Sequence, residues 1–164
     1  MIDKLLQDLQ NKFGESIHAV EGAKQATLIV SSSILVELSK YLRDSSAYYY
    51  DFLANITAVD YYPENRFALV YNLTSLPYQT QLTIRVELPV TNREENNLPE
   101  VPSVSSIWRT ADWHEREAYD LMGIYFTDHP DLRRILLPDD WEGFPLRKDY
   151  EDAEYYHGIP IKGE

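Results

Sequence analysis

Apolar positions along the chain follow two periods. At the start, Ile2, Leu5, Leu6, Leu9 and Phe13 recur at intervals of three and four, and Gly14 follows. That spacing lines one face of an α-helix, and a glycine just past the last periodic residue is a stop signal. "AKQATLIVS", residues 23–31, reads as a strand. Ser31, Ser32 and Ser33 then offer caps for a second helix. Its apolar face is Ile34, Leu35, Leu38 and Leu42, and it ends near "RDSS".

The period then falls to two. "ANITAVDYY" (54–62), "RFALVYNLTSL" (66–76) and "YQTQLTIRVELP" (78–89) read as three successive strands, with a turn at Pro63–Asn65 between the first two. In the third, Leu82, Ile84, Val86 and Leu88 alternate with Thr83, Arg85 and Glu87. Such alternation gives one packed and one solvated face, as in an antiparallel meander. "TNREENNLPEVP" (91–102) reads as a polar loop, after which Ser103 is placed to cap a short turn through Ile107 and Trp108. Asp112 stands three residues before Glu115, a capping-box pattern, and predicts a helix from Trp113 to Met122 with Gly123 as its left-handed cap. "RRILLP" (133–138) reads as a last strand or extended segment.

These elements predict an α+β fold: a mainly antiparallel sheet with helices packed on one face. Strict strand–helix alternation is missing, which argues against a doubly wound nucleotide fold. A single domain spans residues 1–148. Residues 149–164 form an extended, acidic, tyrosine-bearing C-terminal tail, too poor in aliphatic side chains to fold alone.

Charge and composition narrow the function. The net charge is −12 over 164 residues, so a nucleic-acid partner is disfavoured, because such binders need a positive field. There is no cysteine, which excludes disulfides, thiolate catalysis and a cysteine-held iron–sulfur cluster within the chain. The N-terminus has no apolar run of signal-peptide length and no segment approaches a membrane span. The chain is therefore expected to be soluble or peripheral.

Chemistry-bearing residues concentrate in 111–150, "ADWHEREAYDLMGIYFTDHPDLRRILLPDDWEGFPLRKDY". A zinc-protease motif would need a second histidine at 118, where Ala118 stands. No G-x-S-x-G elbow, phosphate loop or paired Glu-x-x-His is present. Glu115 and Glu117 point about 200° apart on a helix, so they form no acid–base dyad. The bland reading is a solvated helix face with Asp112 and Arg116 as an i,i+4 pair. Yet the charges interleave with Trp113, Tyr119, Met122, Tyr125 and Phe126. Some charged groups must then lie against aromatic surface and need partners there. Arg116, among Asp112, Glu117 and Asp120, is expected to pair with a carboxylate, within the chain or across an interface. His129, before Pro130, reads as a histidine orienting the turn.

The same residues carry a family resemblance. "EREAYDLMGIYFTDHPDLRRIL" resembles the signature of the C subunit of the respiratory NADH:quinone oxidoreductase, complex I, the mitochondrial 30-kilodalton subunit family. Glu115, Arg116 and Glu117 open it, Asp120, Leu121 and Met122 follow, and His129, Arg133, Ile135 and Leu136 complete it. "GFPLRKDY", with Arg147, Lys148 and Asp149, resembles the family's closing element. "DFLANITAVDYY" resembles its D-x-L-x-x-I-T-A-V-D-Y strand, and "VPSVSSIWRTADWHERE" its run into the signature helix.

The resemblance implies a peripheral-arm subunit on the cytoplasmic side of the inner membrane, or the matrix side if mitochondrial. It implies peripheral membrane association through the complex, packing against subunits D and B, and no catalytic, cofactor-binding or metal residue in this chain. FMN, iron–sulfur clusters and quinone would sit in partner subunits, and at this length no fused D subunit is expected. On this reading Trp113, Glu115, Arg116, Glu117, Asp120, His129, Arg133, Arg134, Arg147, Lys148 and Asp149 are interface or fold-locking residues. The tail from Glu151 would lie along a partner. Three other readings stand beside it: the equivalent subunit of a membrane-bound hydrogenase or other-donor dehydrogenase, a free-standing metal-dependent enzyme using His114, Glu117 and His129, and a soluble binding module outside any redox complex.

Overall fold

The computed structural model describes residues 2–161, with the backbone alone for Ile2 and Asp3. Helix α1 is Ile2–Phe13 and puts Leu5 and Leu9 into the core before Gly14 turns the chain at φ +65°. Strand β1 (Ile17–Ala19), which the sequence pattern did not reveal, pairs antiparallel with β2 (Thr27–Val30). The Ser31 hydroxyl accepts from the Ser33 amide and opens a 3₁₀ turn, Ser32–Ile34, that leads into α2 (Leu35–Asp44). Leu35, Leu38 and Leu42 are its buried stripe.

Strands β3 (Phe52–Tyr61), β4 (Arg66–Ser75) and β5 (Thr80–Pro89) are the expected meander. The sheet runs β1-β2-β5-β4-β3 and is antiparallel except where β2 lies parallel to β5. The period of two decides its faces. Phe67, Leu69, Tyr71 and Leu73 of β4 join Leu82, Ile84, Val86 and Leu88 of β5 in one core with the apolar faces of the helices. Burying each of the Phe, Leu, Ile and Val side chains stabilises by about 1.5–3 kcal/mol. The opposite face mixes polar side chains with Val59, Ala68 and Val70. There Asn72 Nδ2 donates to Asn55 Oδ1 at 2.8 Å and the Thr83 hydroxyl donates to Asn72 Oδ1 at 3.0 Å, a ladder across three strands. The helices therefore pack on one face of a mainly antiparallel sheet.

Three expectations need correction. The polar loop ends in strand β6 (Glu100–Pro102), which pairs parallel with β7 (Tyr125–Thr127) just after helix α3 (Ala111–Met122). No capping box forms at α3: Thr110 is the N-cap without a side-chain bond, and Asp112 already lies inside the helix. Glu115 cannot reach back to the cap because it is buried and bonded to Ser103 and Val104. "RRILLP" is not a strand but an irregular segment wrapped round a carboxylate of α3.

The turn after β6 matches its pattern: Ser103 Oγ accepts from Ser105 N, and Ile107 and Trp108 both donate to Val104 O. Gly123 caps α3 at φ 66°, ψ 46°. Past Tyr150 the chain is not extended throughout. Strands β8 (Tyr155–Tyr156) and β9 (Ile159–Pro160) close a small hairpin, with the Tyr156 ring 5.3 Å from that of Trp141.

Candidate functional site

Helix α3 has two working faces. Ala111, Glu115, Ala118 and Met122 recur at helical spacing and turn inward. Trp113, Arg116 and Asp120 follow a second stripe, covered at its Asp120 end by the segment after Arg133.

Asp120 is the anchor of that cover. It is fully buried, and its Oδ2 accepts from three successive amides, Ile135, Leu136 and Leu137, at 3.0, 2.7 and 3.0 Å. Arg134 Nη1 donates to its Oδ1 at 2.8 Å and to its carbonyl at 3.0 Å, while Nη2 reaches Gly143 O at 3.0 Å. Burial pushes the Asp120 carboxyl up, yet the amides of Leu137 and Leu136, the Arg134 guanidinium and the Ile135 amide together hold it below the usual carboxylate range.

Glu115 is the second buried acid. Its carboxylate accepts from Ser103 Oγ at 2.5 Å and from Val104 N at 2.7 Å, tying α3 to the preceding turn. Burial pushes it up to about 7 against those two bonds, with Asp112 adding to the rise. His129 lies alongside with its ring fully buried, and its Nδ1 accepts from Asp131 N at 3.0 Å. The ring proton is thereby assigned to Nε2. That atom donates to Asp112 O at 3.2 Å and lies 3.3 Å from Asp112 Oδ1 and 3.8 Å from Glu115 Oε2.

The closing element forms a third cluster. Arg147 is buried, and its Nε, Nη1 and Nη2 donate to the carbonyls of Met122, Arg93 and Gly123 at 2.8, 2.9 and 3.2 Å. Two of those carbonyls end α3, where the helix dipole favours a cation. Burial holds the Arg147 pKa below the ordinary guanidinium value. Its guanidinium also lies 4.6 Å over Phe144 and 5.3 Å over Phe67. Gly123 is needed here twice over. Its φ is +66°, and a Cβ would come within 2.5 Å of Arg147 Nη2 and 2.6 Å of the Phe144 ring. Next to it, Arg93 bridges Asp60 at 2.5 Å and Asp149 at 2.7 Å, and the Lys148 amide donates to Asp60 at 2.8 Å.

Of the predicted residues, Glu115, Asp120, His129, Arg134, Arg147 and Asp149 turn to the chain's own main chain and side chains. Trp113, Glu117, Arg133 and Lys148 face outward. Arg116 does not find the expected carboxylate within the chain: among the described residues it makes no ion pair. It donates from Nε to Arg133 O at 3.2 Å and stacks 5.3 Å over Trp113. The i,i+4 partner Asp112 has turned to His129 instead.

The structure also adds Ser103, Asp60 and Arg93, which the sequence pattern did not place in the site. Asp60 could have been found, because it keeps the period of Ile56 and Ala58 and so falls on the core face, where an acid needs a partner. Arg93 sits in a polar loop with no periodic signal. As a metal site, His114, Glu117 and His129 fail to combine: Glu117 is exposed, and the His129 Nε2 edge is occupied. Among the described residues no three His, Asp or Glu side chains come together as metal ligands.

The model of the respiratory-chain NADH dehydrogenase 30-kilodalton subunit family matches residues 28–156. The chain belongs to this family. The matched stretch contains β3 with Asp60, all of α3, and the Asp120 and Arg147 clusters. Among family relatives, the chain is 45% identical over 156 residues to the NADH-quinone oxidoreductase C subunit of Geotalea uraniireducens, covering 92% of this chain and 90% of that one. To the C subunit of Chlorobium phaeobacteroides it is 39% identical over 155 residues, covering 93% and 90%. Against the C subunit of Chloroherpeton thalassium it is 39% identical over 156 residues, but there it spans only 62% of the relative's length. Among solved structures, a chain of the membrane-bound sulfane sulfur reductase, an archaeal respiratory membrane complex, superposes with TM-score 0.73 at 22% identity, over 91% of this chain and 85% of that one. At that identity the likeness is one of fold.

Proposed function

We propose that the chain is a cofactor-free structural and assembly subunit in the peripheral arm of a proton-translocating NADH:quinone oxidoreductase. It packs against subunits D and B on the cytoplasmic or matrix side of the coupling membrane. FMN, iron–sulfur clusters and quinone belong to the partner subunits, and electrons pass from NADH to quinone through them. The observation that carries this reading is how the signature's polar groups are used. Asp120, Arg134 and Arg147 are engaged by main-chain amides and carbonyls of this same chain. They fix the irregular 133–148 segment on α3, and Trp113, Leu136 and Leu146 are left facing outward. Rigid outward aromatic and aliphatic groups on a braced surface are the anatomy of a protein interface. Among the described residues no helix is long and apolar enough to cross a membrane, so membrane attachment would run through partner chains. Cysteine is absent, so the chain offers no thiolate to a cluster.

A second reading is favoured by the fold shared with the sulfane sulfur reductase chain: the same structural role in a membrane complex fed by another electron donor. The test is gentle purification from membranes through a tag on this chain. Co-purifying flavin and iron–sulfur subunits with NADH:quinone activity support the first reading. A co-purifying complex that ignores NADH supports the second. Activity and bound metal in the isolated chain would overturn both.

A further inference from the structure

Three acids around Arg116 are committed elsewhere. Asp112 faces His129 at 3.3 Å, Asp131 holds Arg133 at 2.7 and 2.8 Å, and Asp120 is buried with Arg134. Arg116 depresses the Asp131 carboxyl only after Arg133 has done so. In a chain of net charge −12, this leaves a guanidinium whose Nη groups find no acceptor among the described residues. It is nevertheless held in place, stacked 5.3 Å over Trp113 and bonded through Nε to Arg133 O at 3.2 Å. The loop supplying that carbonyl is itself pinned, because Leu136 N is bound to Asp120 at 2.7 Å. Trp113 and Leu136 stand 63% and 62% exposed.

We propose that Trp113, Arg116 and loop 133–136 form one docking patch for an acidic element of a partner subunit. A partner carboxylate takes the unused Nη edge of Arg116, and an apolar partner side chain covers Trp113. This deepens the subunit reading and rests on it. Three physical features favour this occupant. A planar, pre-positioned guanidinium binds a carboxylate bidentately and loses little freedom in doing so. Tryptophan and arginine are the residue types that carry most interface energy. Nucleic acid, the other ligand that suits arginine and an aromatic ring, is a polyanion and meets the whole −12 field, whereas a single carboxylate needs only the local guanidinium, with more distant charges screened by salt.

The test uses the whole complex, purified through a tag on this chain. A photoreactive benzoylphenylalanine replaces Trp113, and the cross-linked partner peptide is identified by mass spectrometry. The expected peptide carries an Asp or Glu beside an apolar residue. Arg116→Glu lowers recovery of the partner subunits by about tenfold, and reversing the identified acid to Arg restores it. Unfolding of the isolated Arg116→Glu chain stays at the wild-type midpoint, which separates lost docking from lost folding. The proposal is overturned if Arg116→Glu and Trp113→Ala both assemble at wild-type yield in low and high salt, or if the cross-linked peptide is basic. If the wild-type chain itself recovers no flavin or iron–sulfur protein, the subunit reading falls and takes the patch with it, a result distinct from the previous one.

Discussion

Replacing Asp120 by Asn keeps the shape of the site and removes its charge. In the wild type one carboxylate satisfies three amides through Oδ2 and Arg134 through Oδ1. An asparagine has a single oxygen. If that oxygen faces the amides, the NH₂ group faces a guanidinium whose side chain is 14% exposed; if it faces Arg134, three amides lose their acceptor. Removing one partner of a buried, hydrogen-bonded charge pair costs about 3–5 kcal/mol. Against a total stability of about 5–15 kcal/mol that is a large loss, and for a chain of this size it lowers the midpoint by on the order of 10 °C. The pH dependence adds a second signature. The folded-state pKa of Asp120 lies below its unfolded value. Its contribution is therefore fully present above the unfolded pKa of about 3.9 and fades as pH falls through the folded value. Thermal and urea unfolding of purified wild type and Asp120→Asn, compared at neutral pH and down the acid range, read both effects. A neutral-pH midpoint shift under about 2 °C, or a gap that stays constant into strong acid, refutes the reasoning.

Glu115 carries the opposite sign. Its pKa is raised to about 7, so its contribution is complete below the unfolded value of about 4.3 and is lost as pH rises through about 7; Glu115→Gln should flatten the stability–pH curve in that window, as urea titrations would show. Gly123→Ala should cost roughly 2–5 kcal/mol, from the left-handed backbone plus the clash with Arg147 and Phe144. Gly14→Ala, also at positive φ but in open space, should cost only about 1–2 kcal/mol, so the difference in unfolding free energy isolates the clash. Arg147→Lys gives up the planar fork that serves the three carbonyls and should destabilise by about 2–3 kcal/mol, measured by urea midpoint. Trp113→Ala should leave the isolated chain within about 0.5 kcal/mol of wild type, since the ring is exposed.

The meander, both core-facing helical stripes and the Gly123 cap follow from periodicity, because each is decided by residues close in sequence. What the pattern misread are places where a local preference met a distant partner. Asp112 and Glu115 spell a capping box, but Ser103 and Val104, arriving from the preceding turn, hold Glu115 in the interior instead. "RRILLP" has strand composition, yet the Asp120 carboxylate gathers its amides and bends it. The short strands β1, β6 and β7 are three residues each, too brief for any period to register. Among the described residues no carboxylate of this chain pairs with Arg116, because Asp112 is drawn to His129. Signature membership was legible in the residues themselves, whereas the direction each charge points was decided by tertiary packing.

The manner in which Arg147 is held has one more implication. All three of its acceptors are peptide carbonyls, which every residue supplies whatever its side chain. Sequence drift at Met122 or Arg93 can change what those positions pack against without cutting the tie. The tie is exposed at Gly123, where any Cβ would strike Arg147 Nη2, and to a shift of the backbone path such as an insertion between the helix end and β7.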